Sequence, residues 1–68
     1  MSDKIFRIYT IGQSEAIETY TEEAAAETCE RMCQTYKKSS IITDKMSGKT
    51  LSGFEFDADF NAPVGYWF

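Results

Sequence analysis

Two thiols and a run of carboxylates are the residues of this chain whose spacing invites a chemical reading. Cys29 and Cys33 frame the stretch "CERMC", which in a helix sets both sulfurs on one face, about one turn apart. Redox dithiols use a C-x2-C spacing at a helix start, and a structural zinc site needs about four ligands. The chain holds two cysteines and no histidine, so neither set can be completed. The pair reads as two small apolar residues facing a core in a reducing compartment. Glu15, Glu18, Glu22, Glu23, Glu27 and Glu30 follow one another with no base until Arg31. On a helix Glu23, Glu27 and Glu30 share the face opposite Cys29, and Glu27 can pair with Arg31 at i, i+4. A solvated helix face accounts for them; an acidic docking surface or nucleic-acid mimic is the sharper alternative. Asp57-Ala-Asp59 resembles a fragment of a calcium loop but lacks its glycine and closing glutamate, and reads as a turn. Without histidine the usual general base near neutral pH is missing. An enzyme would rest on carboxylates, tyrosines or Cys29 alone, with no nucleophile set beside a base. The expectation is a chain without catalysis, metal or cofactor.

Sixty-eight residues make a single domain, 1–68, near the size at which burial only just offsets chain entropy. An aromatic share of 15% helps so small a core reach adequate buried area. The formal charge of −4 argues against direct nucleic-acid binding, which needs clustered cations, and only Lys37 and Lys38 adjoin. No stretch approaches the roughly 20 apolar residues of a membrane span, and "MSDKIF" lacks a leader's basic and apolar regions. A cytoplasmic protein without membrane contact is expected.

The elements that must position these groups follow from periodicity. "KIFRIYTIGQSEAIETY" predicts a hairpin, with strands at 4–11 and 14–20 and Gly12-Gln13 as a two-residue turn. Its register sets Ile8 against Ile17, Arg7 against Glu18, Phe6 against Thr19 and Ile5 against Tyr20, matching opposite charges and apolar partners. One face then carries Phe6, Ile8 and Ile17 toward the core; the other carries Ile5, Arg7, Tyr9, Ala16, Glu18 and Tyr20. "TEEAAAETCERMCQTYKK" predicts a helix over 22–38, with Ala25, Cys29, Met32, Cys33 and Tyr36 on one stripe. Thr21 is its N-cap, Glu22 and Glu23 suit its N-terminus, and Lys37 and Lys38 its C-terminus. A second hairpin follows, with strands at 41–45 and 50–56 joined through "DKMSGK", where Gly48 takes the left-handed position. Gly53 marks a bulge or the close approach of another backbone. The predicted fold is α+β: two antiparallel hairpins flanking one helix, ββαββ, with the helix on one face of a four-stranded antiparallel sheet.

The aromatic tail, 57–68, lies outside those four strands. Pro63 ends any ladder, and "VGYWF" forms a short last strand or lies across the sheet. Two arrangements stay open. The tail folds back over Tyr9 and Tyr20 and completes a second small core, the favoured one, or Tyr66 and Trp67 join them in an aromatic patch rimmed by acids. Either way the expected partner-binding surface is Tyr9, Tyr20, Glu18, Arg7, Tyr66 and Trp67. The order strand, strand, acidic-start helix, strand, strand, from "KIFRIY" through "TEEAAAETCERMC" to "SGKTLSGFEF", resembles small phage or mobile-element proteins that inhibit bacterial defence, anti-CRISPR proteins among them. That resemblance is one of layout and implies a non-enzymatic inhibitor that sterically blocks a host protein or defence complex. The function expected is therefore a protein-binding module with a protein partner; the alternative is a structural or regulatory homodimer.

Overall fold

Thr21 starts the helix as its position promises. Its backbone is extended and its Oγ1 accepts a hydrogen bond from the Ala24 N–H at 3.1 Å, satisfying one of the N–H groups that a helix start leaves without partner. The helix α1 then runs Glu22–Tyr36, two residues shorter than predicted. Lys37 turns left-handed, φ 55° and ψ 41°, which breaks the helical ladder there, so that Lys37 and Lys38 lie beyond the last turn rather than in it. The structure is a computed structural model and describes the backbone of residues 4–67 and the side chains of residues 4–65.

Around α1 lie five strands: β1 (Phe6–Thr10), β2 (Ile17–Thr19), β3 (Ser40–Asp44), β4 (Thr50–Asp57) and β5 (Ala62–Trp67). They form one antiparallel sheet in the order β2-β1-β3-β4-β5. The fold is thus α+β with the helix on one side of an antiparallel sheet, but the sheet has five strands where four were expected. The fifth comes from the tail. Asp57 Oδ1 accepts from the N–H groups of Asp59 at 2.9 Å and Phe60 at 3.4 Å, and Asn61 is left-handed at φ 53°. That turn folds the chain back so that Ala62 meets Asp57 and Trp67 meets Ser52. Pro63, expected to end the ladder, sits inside β5 opposite Phe56. It is tolerated because an edge strand's outward nitrogens need no partner.

In the first hairpin the register is the predicted one, Phe6 with Thr19, Arg7 with Glu18, Ile8 with Ile17. The turn is not. The Gln13 N–H bonds the Thr10 carbonyl at 3.0 Å and Gly12 takes φ 87°, centring the turn on Ile11-Gly12, where a third-position glycine accepts positive φ. A turn centred there is out of step with that register, and residues 11–16 form a loop before the ladder begins. The end of β1 pairs instead with β3, Thr10 opposite Ser40, and the Ile11 N–H bonds the Ser39 carbonyl.

The second hairpin turns as expected. Gly48 is at φ 75° and its N–H bonds the Asp44 carbonyl at 2.7 Å, while Asp44 Oδ1 accepts from the Met46 N–H at 2.9 Å, a side chain standing in for a backbone turn. Of the two readings of Gly53 the close backbone approach holds, while the bulge falls at Leu51, Gly53 itself pairing regularly with Ile41. The β3–β4 register slips between Ile42 and Thr43, adding one residue to β4, and a Cβ on Gly53 would stand 2.9 Å from the Ser40 carbonyl oxygen.

The core lies between α1 and the face of Phe6, Ile8 and Ile42, closed by Ala25 and Cys29, with Leu51 and Phe54 packed against it. Cys33 is also fully buried, as the helical stripe required. Ile17, assigned to this face, stays 38% exposed because β2 is an edge strand of three residues. Beneath the helix, Thr10 Oγ1 and Ser40 Oγ share a hydrogen bond of 2.9 Å, which lets two buried hydroxyls satisfy each other.

Candidate functional site: the open face of the sheet

Since successive strand residues point to opposite faces, placing Phe6, Ile8 and Ile42 against α1 turns Arg7, Tyr9, Glu18 and Ile41 the other way. The register aligns them. Arg7 lies between Glu18 and Thr43, and Tyr9 beside Ile41. Thr43 Oγ1 donates to the Arg7 carbonyl at 3.3 Å, tying the β1–β3 seam. Among the described residues no helix, loop or strand is laid over this face.

Its charged groups are organised around one carboxylate. Arg7 Nε donates to Glu18 Oε2 at 3.0 Å, and Lys45 Nζ lies 3.1 Å from the same oxygen. Lys45 directly follows β3, and its N–H bonds the Ile5 carbonyl, so its side chain reaches across β1 to β2. The Lys45 hydrogen bond, helped by its charge and by Arg7, holds the Glu18 carboxyl below the usual range, against a smaller opposing effect of desolvation. Arg7 Nη1 also donates to Tyr9 Oη at 3.4 Å. Tyr9, 39% exposed, thus has its hydroxyl tied to the guanidinium. Chemically this is a recognition surface. It offers an aromatic edge, a guanidinium and an ammonium with unfilled donor positions, and one shared carboxylate.

Of the six residues expected to bind a partner, Arg7, Tyr9 and Glu18 come together here. Tyr20 does not join them closely: it follows β2, is 70% exposed, and lines a groove with Lys4, Phe6, Thr21 and Glu22 at the start of the helix. Tyr66 and Trp67 are in β5, at the opposite edge of the sheet from β2, about 19 Å away at four strand spacings. Their backbones pair with Gly53 and Ser52; their side chains, like Phe68, lie outside the described residues. The tail therefore extends the sheet through residue 67, and its backbone is not folded back over Tyr9 and Tyr20.

Sequence reasoning missed Lys45, Ile41, Glu55 and Val64 as members of this face. Ile41 and Lys45 reach it only because β3 lies beside β1, a strand order that periodicity does not encode. Val64, 49% exposed, pairs with Glu55, and the signal for it was the hairpin hidden in "FDADFNAP", where two Asx-type positions flank a turn.

The other candidates fall elsewhere. Cys29 and Cys33 are buried under the sheet as free thiols. Burial pushes Cys29 up to about 11 and raises Cys33 as well, with the Glu30 charge adding to the latter, which makes both poorer nucleophiles. Glu23, Glu27 and Glu30 are exposed on the outer face of α1. Glu27, Glu30 and Arg31 line a shallow groove of about 330 Å³ with Gln34, Thr35 and Pro63, and among the described residues no ion pair joins Glu27 to Arg31. No group of three or more Cys, Asp or Glu suited to a metal ion occurs among the described residues, and no helix there is long and apolar enough to cross a membrane. Comparison with protein-family models, with curated proteins and with solved structures found nothing that matches this chain.

Proposed function

We propose that this chain is a non-enzymatic protein-binding module that docks its partner on the open face of its sheet. The observation that carries the reading is a face that no described element covers, where Tyr9 bonds Arg7 beside a two-cation, one-carboxylate cluster on an antiparallel sheet. Tyrosine and arginine are the residues that most often dominate interface energy, above all when held in place before binding. Two features favour binding over chemistry. The thiols are buried with their ionisation suppressed, and the chain has no histidine to activate a hydroxyl or water. The resemblance of layout to small phage and mobile-element inhibitors of bacterial defence supports a steric mode of action, in which the module occludes a surface of a host protein or defence complex.

The test is capture from a bacterial lysate by the tagged chain, run beside an Arg7→Ala/Tyr9→Ala variant whose fold is checked by circular dichroism. One stoichiometric partner held by the native chain and lost by the variant is the expected result. A partner retained in full by the folded variant, or lost instead by a Glu27→Lys/Glu30→Lys variant of the helix, contradicts the placement.

A further inference from the structure

The open face is polar in a directional sense. At one corner Arg7 and Lys45 share the single carboxylate of Glu18, leaving one positive charge in excess. At the diagonal corner Glu55 is exposed and, among the described residues, has no ion pair; Asp57 follows on the same side of β4. The register fixes the distance. Arg7 lies one row to one side of the Tyr9-Ile41-Gly53 row and Glu55 one row to the other, two strands apart, so the two corners are separated by about 16 Å at ordinary strand spacing and rise. Midway stands Ile41 on β3, half-buried, beside Tyr9.

A cation corner, an apolar midpoint and an anion corner on one line form a self-complementary pattern. When two such faces meet about a two-fold axis through the midpoint and perpendicular to that line, each positive corner lies over the other copy's negative corner. Ile41 then meets Ile41. This is the isologous arrangement of a symmetric dimer; the same operation brings Glu18 toward the other copy's Asp57, but Arg7 and Lys45 already neutralise Glu18. We infer that the open face is occupied by a second copy of this chain when no other partner is present. The inference rests on the reading of this face as a docking surface, and a competing partner would reproduce the same order of charges.

Five strands at ordinary spacing give a face of about 500 Å² per copy, or about 1,000 Å² in total, at the lower end of specific interfaces. The dimer is therefore weak and salt-sensitive.

Sedimentation equilibrium between about 20 µM and about 1 mM tests it, with Lys45→Glu and Glu55→Lys as single variants. Both positions are exposed, and circular dichroism verifies each fold. Each variant alone sets like charges against each other at both symmetry-related contacts, and its dimer weakens at least about tenfold. An equimolar mixture of the two restores opposite charges at both contacts and recovers dimer as a heterodimer. A native chain that stays monomeric at the highest concentration overturns the inference, as does a dimer indifferent to both variants or a mixture that fails to recover. None of those outcomes touches the docking of a different protein, which the Arg7→Ala/Tyr9→Ala capture decides separately.

Discussion

Shortening Ile8 and Ile11 in parallel tests where the packed part of the first strand ends. Ile8 is fully buried at the centre of the core, and Ile11 is 64% exposed in the loop after β1. Ile8→Val removes one methyl group at a cost of about 1 kcal/mol, and Ile8→Ala costs about 2–5 kcal/mol because lost transfer energy is joined by a cavity. A domain of 68 residues holds a total stability of roughly 3–10 kcal/mol. Ile8→Val should therefore lower the melting temperature by about 4–8 °C, while Ile8→Ala consumes a large part of the margin. In urea, followed by far-ultraviolet circular dichroism, each lost kcal/mol moves the midpoint by about 1 M or less at the slopes usual for small proteins. Ile11→Ala should stay within about 0.5 kcal/mol, as exposed substitutions do. Equal losses at Ile8 and Ile11 would refute the reasoning, since they would show Ile11 packed as tightly as Ile8 rather than exposed in the loop after β1.

Three further outcomes follow from single features. Burial pushes the Cys29 thiol up from its ordinary value of 9.0 to about 11; a raised value for an acid means the neutral thiol stabilises the fold below about pH 9, and that contribution is lost as pH climbs toward 11. Two units at about 1.4 kcal/mol each give a loss of about 3 kcal/mol over that window, so urea midpoints of the native chain should fall more steeply from pH 9 to 11 than those of Cys29→Ala. Ser52 Oγ is buried with no hydrogen-bond partner among the described residues, and Ser52→Ala should be neutral or raise the melting temperature slightly, since it removes an unsatisfied polar group. A Cβ at Gly65 would stand 2.6 Å from the Phe54 ring, so Gly65→Ala should displace the ring and destabilise the fold, measurably in the same urea experiment, while Gly65→Ala in a Phe54→Leu background should cost less.

The sequence was most legible where local chemistry and long-range packing agree. Thr21, the two glutamates behind it and Ala25, Cys29 and Cys33 of the expected stripe define α1 without reference to anything outside it; Tyr36 of the same stripe is 41% exposed, and the helix ends early because Lys37 rather than a glycine takes the left-handed cap. The β1–β2 register inferred from a Gly12-Gln13 turn is the observed one, with Arg7 paired to Glu18 across it, although the turn itself sits one residue earlier. The last strand was hidden by Pro63. A proline argues against a central strand and says nothing against an edge, and which strand is an edge depends on the order of all five. That same order decides the candidate site: with β3 between β1 and β4, Lys45 reaches Glu18 and Ile41 joins Tyr9, while Tyr66 and Trp67 are carried in β5 to the far side. Composition pointed to aromatic residues and acids, but which of them share a face is set by the strand order.

The account turns on whether a protein partner meets the sheet rather than the helix. Amide chemical shifts of the isotopically labelled chain, recorded on titration with whichever protein the capture returns, decide that directly. Perturbations concentrated at Arg7, Tyr9, Glu18, Ile41 and Thr43, with the outer face of α1 unmoved, are the result predicted. Perturbations centred on Glu23, Glu27 and Glu30 would contradict it and make the acidic helix face the surface that binds.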